Sequence, residues 1–183
     1  MPETRQPNQA SFLRDFLLPQ LKAEHAVTLR ILSAVPLENE GYRPNPKSRT
    51  ALELARHIAL VEIWFLDAVI DQRFGEIESL VEPMQNCEEV ARWYAANGGR
   101  RIGILEALSG VQLATRVSYF NLRNDPAVAY LNIAIRHSVH HRGQLSAYLR
   151  AMGAKVPAIY VESADEPYPP IDGTVAQQPP PAF

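Results

Sequence analysis

The sequence predicts an all-α protein, an up-down four-helix bundle followed by an irregular C-terminal tail. Three observations predict it: four long segments carry apolar residues at helical spacing, clusters of proline and glycine separate them, and helix-start motifs precede them. A chain of 183 residues suits one domain with a single core. We expect the bundle to occupy residues 1–160 and an extended proline-rich tail to occupy residues 161–183.

The first helix is predicted over residues 11–35. Pro19 should divide a short lead-in from the main helix, since proline fits only the first turn of a helix. The second helix is predicted over residues 50–74, because Thr50 and Glu53 form a capping box in which each side chain can accept a backbone N–H of the other residue. Gly75 should end it.

The third helix is predicted over residues 86–108, where Asn86 and Glu89 again supply a helix start. The adjacent Gly98 and Gly99 weaken that prediction by about 1 kcal/mol each relative to alanine. Residues 110–122 are β-branched and partly alternating, which is compatible with a short strand pair or with an extended connection.

The fourth helix is predicted over residues 125–152. Asp125 should cap it, Pro126 should occupy its first position, and Gly153 should end it. Four helices with short or moderate connections are typical of bundles whose interior can hold a metal ion.

Composition excludes several classes of partner. The net charge of -2 gives no global electrostatic reason to expect nucleic acid or an anionic membrane. Cys87 is the only cysteine, so no intramolecular disulfide can form, which fits a reducing compartment. The first residues lack the pattern of a secretory signal, and no stretch reaches the ~18 apolar residues of a membrane span. We expect a cytoplasmic protein.

Histidines form the candidate functional site. His137 and His141 lie four residues apart on the fourth predicted helix, so both face the same side, one turn apart. At this spacing two imidazoles can converge on one ion. His57 is the natural third ligand because it interrupts an apolar stripe of the second helix. Three imidazoles leave a coordination position open, as expected of a catalytic site. On spacing alone, ordinary core histidines are an alternative.

Neighbouring residues refine this hypothesis. Ser138 stands where the zinc-protease motif H-E-x-x-H carries its glutamate, which disfavours that mechanism. Gln144 is a candidate for hydrogen bonding a ligand or substrate. Glu53 is a candidate for orienting His57 or accepting a proton, although the capping role is favoured. Arg142 should point away from the metal face and act as an ion-pair donor.

Two segments, YRPNPKSRTALELARHIALVE and HHRGQL, resemble the DinB/YfiT-like family of metalloenzymes, which is unrelated to the error-prone DNA polymerases. The resemblance covers roughly residues 12–167. It implies a bundle, often dimeric, with zinc, nickel or a similar divalent ion on three histidines, here His57, His137 and His141. This chain departs from the family's pattern at Arg136, where asparagine is common, and after Tyr160, where glycine is common.

The resemblance also implies a function. Characterised members of the wider family are thiol S-transferases and thiol-dependent isomerases that use low-molecular-weight thiols. A three-histidine ion can equally activate water, so a hydrolase stays open beside a transferase. The alternative is a non-catalytic metal-binding or dimerisation module. We expect a small-molecule substrate and a homodimer.

Overall fold

The computed structural model describes residues 7–80 and 84–167. These residues form the α-helices α1 (Pro7–Ser33), α2 (Ala51–Asp71), α3 (Cys87–Ala107), α4 (Gly110–Ala114) and α5 (Ala129–Ala151), with the antiparallel strands β1 (Arg116–Tyr119) and β2 (Arg123–Pro126) between α4 and α5. Single 3-10 turns occupy Leu37–Asn39 and Ile77–Leu80. The four long helices pack together, so the predicted all-α four-helix bundle is confirmed.

Each long helix has two close neighbours in the bundle. Helices α1 and α2 both pack against α3 and α5, which places α1 diagonally opposite α2. Arg14, near the start of α1, donates to the carbonyl oxygen of Leu108 at the end of α3, so these two helices are antiparallel. The Tyr148 hydroxyl, near the end of α5, donates to the carbonyl oxygen of Arg49 just before α2, so these two are antiparallel as well.

The connection between α2 and α3 determines the order of helix directions. Arg56, near the start of α2, donates to the carbonyl oxygen of Met84, just before α3. Asp67, near the end of α2, pairs with Arg101 near the end of α3. The two helices are therefore parallel, and the start of α3 lies beside the start of α2. The structure thus refines the up-down bundle to the order up-down-down-up.

The predicted helix starts at Thr50 and Asn86 are confirmed. The Glu53 amide donates to Thr50 Oγ1 at 3.2 Å, and the Thr50 amide donates to the Glu53 carboxylate at 2.7 Å, which completes the capping box. Such a cap stabilises a helix by about 1 kcal/mol. Asn86 likewise accepts the Glu89 amide at the start of α3. Helix α2 ends at Asp71, a few residues before the expected end, because Gln72 takes a left-handed conformation with φ 55°.

The predicted division of the first helix at Pro19 is wrong. Helix α1 continues through Pro19, which lies inside it on an exposed position. Proline removes one backbone hydrogen bond there. Leu18 and Leu21 on either side are buried in the core, so packing of both halves of α1 outweighs the lost bond.

The predicted start of the last helix at Asp125 and Pro126 is also wrong. Both residues belong to β2, and Asp125 pairs with Val117 of β1. The chain then continues with tertiary backbone bonds, since the Ala127 and Val128 amides donate to carbonyl oxygens of residues 115 and 113. Helix α5 consequently begins at Ala129. The strand pair expected within residues 110–122 exists, although residues 110–114 are helical and its second strand lies further along the chain.

Buried polar residues lie between two apolar clusters of the core. One cluster gathers around Leu21, Leu66 and Leu131, and the other around Leu32, Ile58 and Leu149. The polar layer between them comprises His25, Thr28, Glu62, Ser138 and Arg142. Ser138 and Arg142 of this layer directly follow His137 and His141, so the candidate site lies next to it, midway along α5.

The C-terminal segment after α5 is irregular, as predicted. Gly153 ends the helix with φ 71°, its amide donates to the Arg150 carbonyl, and the Ala154 amide donates to the Leu149 carbonyl. This is the hydrogen-bond pattern of a Schellman cap. Arg30 of α1 pairs with Glu166 and so holds the segment against the bundle. The part of the expected tail from residue 168 onward lies outside the described residues. Within the described ranges, no helix is both long and apolar enough to span a lipid bilayer.

Candidate metal centre

The structure brings together the three histidines that the sequence singled out. His57 Nε2 lies 3.0 Å from His137 Nε2 and 3.2 Å from His141 Nε2. Within residues 7–80 and 84–167, these are the only three or more potential metal ligands whose donor atoms all lie within 4.8 Å of one another. Antiparallel packing of α2 and α5 produces this convergence, because it places His57 opposite the turn that carries the other two.

The spacing of the three nitrogens fits a metal ion. Imidazole nitrogens bind zinc at about 2.0–2.1 Å, so two ligands at a tetrahedral angle stand about 3.3 Å apart, and at a right angle about 2.9 Å. The observed separations of 3.0 and 3.2 Å fall in that range. Hydrogen bonding alone explains them poorly, because His57 Nε2 has either one lone pair or one proton and meets two other nitrogens.

All three imidazoles are neutral at pH 7. Burial, assisted by the positive charge of Arg49 and the neighbouring His141, lowers the pKa of His57 to about 4. Burial and the adjacent histidines lower the pKa of His137 to about 3. Burial also lowers the pKa of His141, although the hydrogen bond that its ring donates to Gln144 raises it. Neutral imidazoles present free lone pairs, so a metal ion has no proton to displace.

Gln144, a predicted partner of a ligand or substrate, contacts His141. Its Oε1 lies 3.1 Å from His141 Nδ1, and because an amide oxygen can only accept, Nδ1 carries the proton. That tautomer leaves the lone pair on Nε2, the atom that faces the other histidines. The Gln144 amide donates in turn to the Tyr148 hydroxyl at 3.3 Å. His137 Nδ1 is buried and has no hydrogen-bond partner among the described residues.

Glu53, His140 and His25 lie outside the group of converging histidines. Glu53 is exposed, and its carboxylate serves the capping box of α2, a bond that lowers its pKa. His140 is exposed, with its ring 4.7 Å from that of His141 but outside the converging group. His25 lies in the buried polar layer, where its Nδ1 is 2.9 Å from the Glu62 carboxylate.

Glu62 is the important residue that the sequence reasoning missed. It is fully buried, and besides His25 it accepts the Tyr94 hydroxyl at 2.7 Å and the Ser138 hydroxyl at 2.5 Å. Ser138 directly follows His137 in α5, so Glu62 fixes α5 against α2 beside the site. The available signal was a single carboxylate inside the apolar run LVEIWFL.

Arg142 points away from the metal face, as expected, and forms a buried ion pair. Its side chain is 1% exposed and lies 2.5 Å from the Glu24 carboxylate. It also donates to the Tyr160 hydroxyl at 2.7 Å, which links the C-terminal segment to α1 and α5.

Cys87, the only thiol of the chain, is buried. Burial and the nearby Glu40 carboxylate raise its pKa to about 12, although it lies at the start of α3. It therefore stays protonated and is no nucleophile at neutral pH.

Comparison with known proteins agrees with the sequence motifs. A family model for the DinB family matches residues 14–172. The chain belongs to the DinB family. This confirms the resemblance found in the sequence. Among curated proteins, the uncharacterized protein YjoA of Bacillus subtilis is 28% identical over 130 residues, which cover 69% of this chain and 82% of YjoA.

Two crystal structures of DinB-like proteins share the fold of this DinB chain. YjoA of Bacillus subtilis superposes with a TM-score of 0.67 at 22% identity, covering 78% of this chain and 96% of YjoA. A DinB-like protein of Bacillus cereus superposes with a TM-score of 0.68 at 24% identity, covering 79% of this chain and 95% of that protein. The family and the three converging histidines are together compatible with a metal-binding protein.

Proposed function

We propose that this DinB-family protein binds one divalent metal ion, zinc or nickel, through Nε2 of His57, His137 and His141, and transfers a low-molecular-weight thiol to a small electrophilic substrate. The convergence of three neutral imidazole nitrogens carries this proposal. It is supported by the spacing of those nitrogens and by the hydrogen bond from His141 to Gln144, which favours the ligating tautomer.

A bound divalent ion would act as a Lewis acid, lowering the pKa of a coordinated thiol and polarising an electrophile. The protein would supply an open coordination position and access for the substrate. Three protein ligands leave room for a further ligand. Each of the three histidines is half-buried, which leaves part of the site accessible to a small molecule.

A thiol suits this site better than water as the nucleophile. The converging group among the described residues contains imidazoles and no carboxylate, and Glu53 is engaged in capping. Because no carboxylate of the described residues belongs to this group, we expect the nucleophile to lose its proton to solvent. A free thiol has a pKa of about 8.5, whereas bulk water has one of about 15.7, so the thiol needs the smaller shift. Hydrolysis by metal-bound water is the second candidate.

Elemental analysis of the purified protein tests the metal site. We expect about one equivalent of metal in the parent protein, loss of metal in the His57→Ala and His141→Ala variants, and full metal content in the His140→Ala variant. His140 is the matched control because it is adjacent to His141 and lies outside the converging group. Metal-free parent protein, even after reconstitution with zinc or nickel, would refute the proposal.

Assays of the metal-loaded protein separate the functions. Conjugation of a thiol to an electrophile, lost on His137→Ala, supports a transferase. Ester or amide hydrolysis without added thiol supports the hydrolase. A protein that holds metal but has neither activity supports the non-catalytic metal-binding or dimerisation module.

We also propose that the protein is a homodimer. Phe12 and Phe16 lie one turn apart on α1 and are 69% and 61% exposed, so this helix presents an apolar surface that a second copy can cover. Light scattering of the parent protein and of a Phe12→Ser/Phe16→Ser double variant tests it. A monomeric parent protein would contradict the homodimer.

A further inference from the structure

We propose that Ser138 is a positioning residue for the three-histidine site, because its hydrogen bond to Glu62 holds His137 at the distance from His57 that a metal ion requires. This role rests on the proposed function, since a metal ion must bind the histidines for Ser138 to affect it. The buried polar layer would then determine how tightly the metal ion binds.

The ring of His137 is held differently from that of His141. Metal-binding histidines usually donate their second ring nitrogen to a neighbouring acceptor, which fixes the orientation of the ring. His141 does so through its contact of 3.1 Å with Gln144. His137 Nδ1 is buried, and it has no hydrogen-bond partner in the part of the chain that the structure describes. The position of the His137 ring therefore depends on packing and on the backbone that carries it.

The backbone at His137 is anchored through the next residue. Ser138 donates its hydroxyl to Glu62 Oε2 at 2.5 Å, and both side chains are fully buried. A hydrogen bond to a buried carboxylate is stronger than one between two neutral groups. Ser138 belongs to α5 and Glu62 to α2, so this bond joins the two helices whose histidines converge.

The other oxygen of the same carboxylate contacts the remaining long helices. Glu62 Oε1 accepts the Tyr94 hydroxyl of α3 at 2.7 Å and lies 2.9 Å from His25 Nδ1 of α1. These contacts hold Glu62 itself in place. Of the two oxygens, Oε2 is the one that accepts from the helix that carries His137. Substitutions can therefore remove the contact to α5 and the contact to α3 separately.

Metal affinity should be sensitive to the position of α5. Two imidazole nitrogens on one zinc ion stand about 2.9–3.3 Å apart, and the Nε2 atoms of His57 and His137 are 3.0 Å apart. Because these residues belong to different helices, a shift of α5 relative to α2 changes that distance. Groups that hydrogen-bond a ligating histidine directly contribute about 10- to 100-fold to metal affinity. Ser138 acts through the backbone, so we expect the low end of that range, about 10-fold.

Two matched variants of the full chain test this role. Ser138→Ala and Tyr94→Phe each remove one hydroxyl that the Glu62 carboxylate accepts, but only the first removes it from α5. Alanine also favours a helix more than serine does, so Ser138→Ala keeps α5 helical. Competition with a chelator measures zinc affinity, and the visible spectrum of protein loaded with cobalt(II) reports the geometry of the ligands.

We expect Ser138→Ala to bind zinc about 10-fold more weakly than the parent protein and to have an altered cobalt(II) spectrum. Tyr94→Phe should keep the affinity and the spectrum of the parent protein, although urea unfolding of the metal-free proteins should show a loss of stability in both variants. A purely structural role of Ser138 would change stability alone. Circular dichroism of each variant verifies that it is folded, so weaker zinc binding is not mistaken for a folding defect.

The remaining outcomes separate this role from the proposed function. If Ser138→Ala bound zinc as tightly as the parent protein, or if both variants weakened binding equally, the positioning role would be overturned and the metal site would stand. A parent protein that binds neither zinc nor cobalt(II) would overturn the proposed function, and the positioning role with it.

Discussion

Two adjacent glycines in α3 should respond to alanine in opposite directions. A Cβ at Gly98 would stand 1.9 Å from His25 Cε1 and 2.5 Å from His25 Nε2, far inside contact distance. The ring of His25 is fixed in turn by the Glu62 carboxylate at 2.9 Å and by Tyr94, whose ring centroid is 4.0 Å away. A Cβ at Gly99 meets nothing within 4 Å.

The magnitude follows from these contacts. Alanine in a helix interior is favoured over glycine by about 1 kcal/mol, and Gly99→Ala should gain that amount. Gly98→Ala gains it too, but displacing the His25 ring costs about 1–3 kcal/mol of overpacking. The lost hydrogen bond to a charged group costs about 1.5–3 kcal/mol more. We therefore expect Gly98→Ala to lower the free energy of unfolding by about 1.5–5 kcal/mol.

Urea unfolding of the metal-free proteins, followed by circular dichroism, measures both variants. The midpoint should rise for Gly99→Ala and fall for Gly98→Ala at an unchanged m-value, since neither change alters the area exposed on unfolding. If Gly98→Ala were as stable as Gly99→Ala, His25 could not occupy the space beside Gly98. The polar layer around Glu62 would then be arranged differently from the structure described.

Three further predictions concern the site. In metal-free protein, the unfolded state binds more protons than the folded state between pH about 6.5 and about 4, because folding lowers the pKa of His57 and His137. The free energy of unfolding should therefore fall as the pH drops through this window, and it should fall by less in His137→Ala. Urea unfolding at several pH values from 7 to 4 measures this dependence. If the free energy of unfolding of the parent protein and of His137→Ala fell equally with pH, His137 would not be buried as described. Zinc at 100 times its dissociation constant should stabilise the parent protein by about 2.7 kcal/mol, and His141→Ala should abolish the shift in thermal unfolding. Glu53→Gln should keep stability and metal content, since glutamine also completes a capping box; loss of turnover at unchanged stability would instead assign a proton-acceptor role to Glu53.

The features that could be predicted from the sequence depend on residues within one or two turns of each other. The capping box at Thr50 and the cap at Asn86 are satisfied locally, so their residue types identify the helix starts. His137 and His141 share a face for the same reason. Assigning His57 to them needed the family resemblance as well, because its place opposite α5 depends on how the two helices pack.

The features that could not be predicted depend on tertiary contacts. Asp125 and Pro126 are a sound local helix start, yet backbone bonds from the next two residues to the segment before β1 hold them in a strand. The layer around Glu62 brings together side chains from α1, α2, α3 and α5, and a single charge in an apolar run does not reveal its partners. The parallel direction of α2 and α3 likewise depends on tertiary contacts, such as that between Arg56 and the Met84 carbonyl oxygen.

The buried thiol of Cys87 allows local opening of the bundle to be measured by chemical labelling. A disulfide reagent labels a cysteine only when the thiolate attacks one of the reagent's sulfurs and releases the other as a thiol. The Cys87 side chain is 1% exposed and its pKa is raised to about 12, so it presents almost no thiolate while the bundle is closed. The rate of labelling should therefore report how often the start of α3 separates from α2, without any engineered probe. Burial also prevents the Cys87 thiol from exchanging with disulfides in solution. A mixed disulfide at Cys87 that forms under native conditions therefore shows that the bundle has opened there.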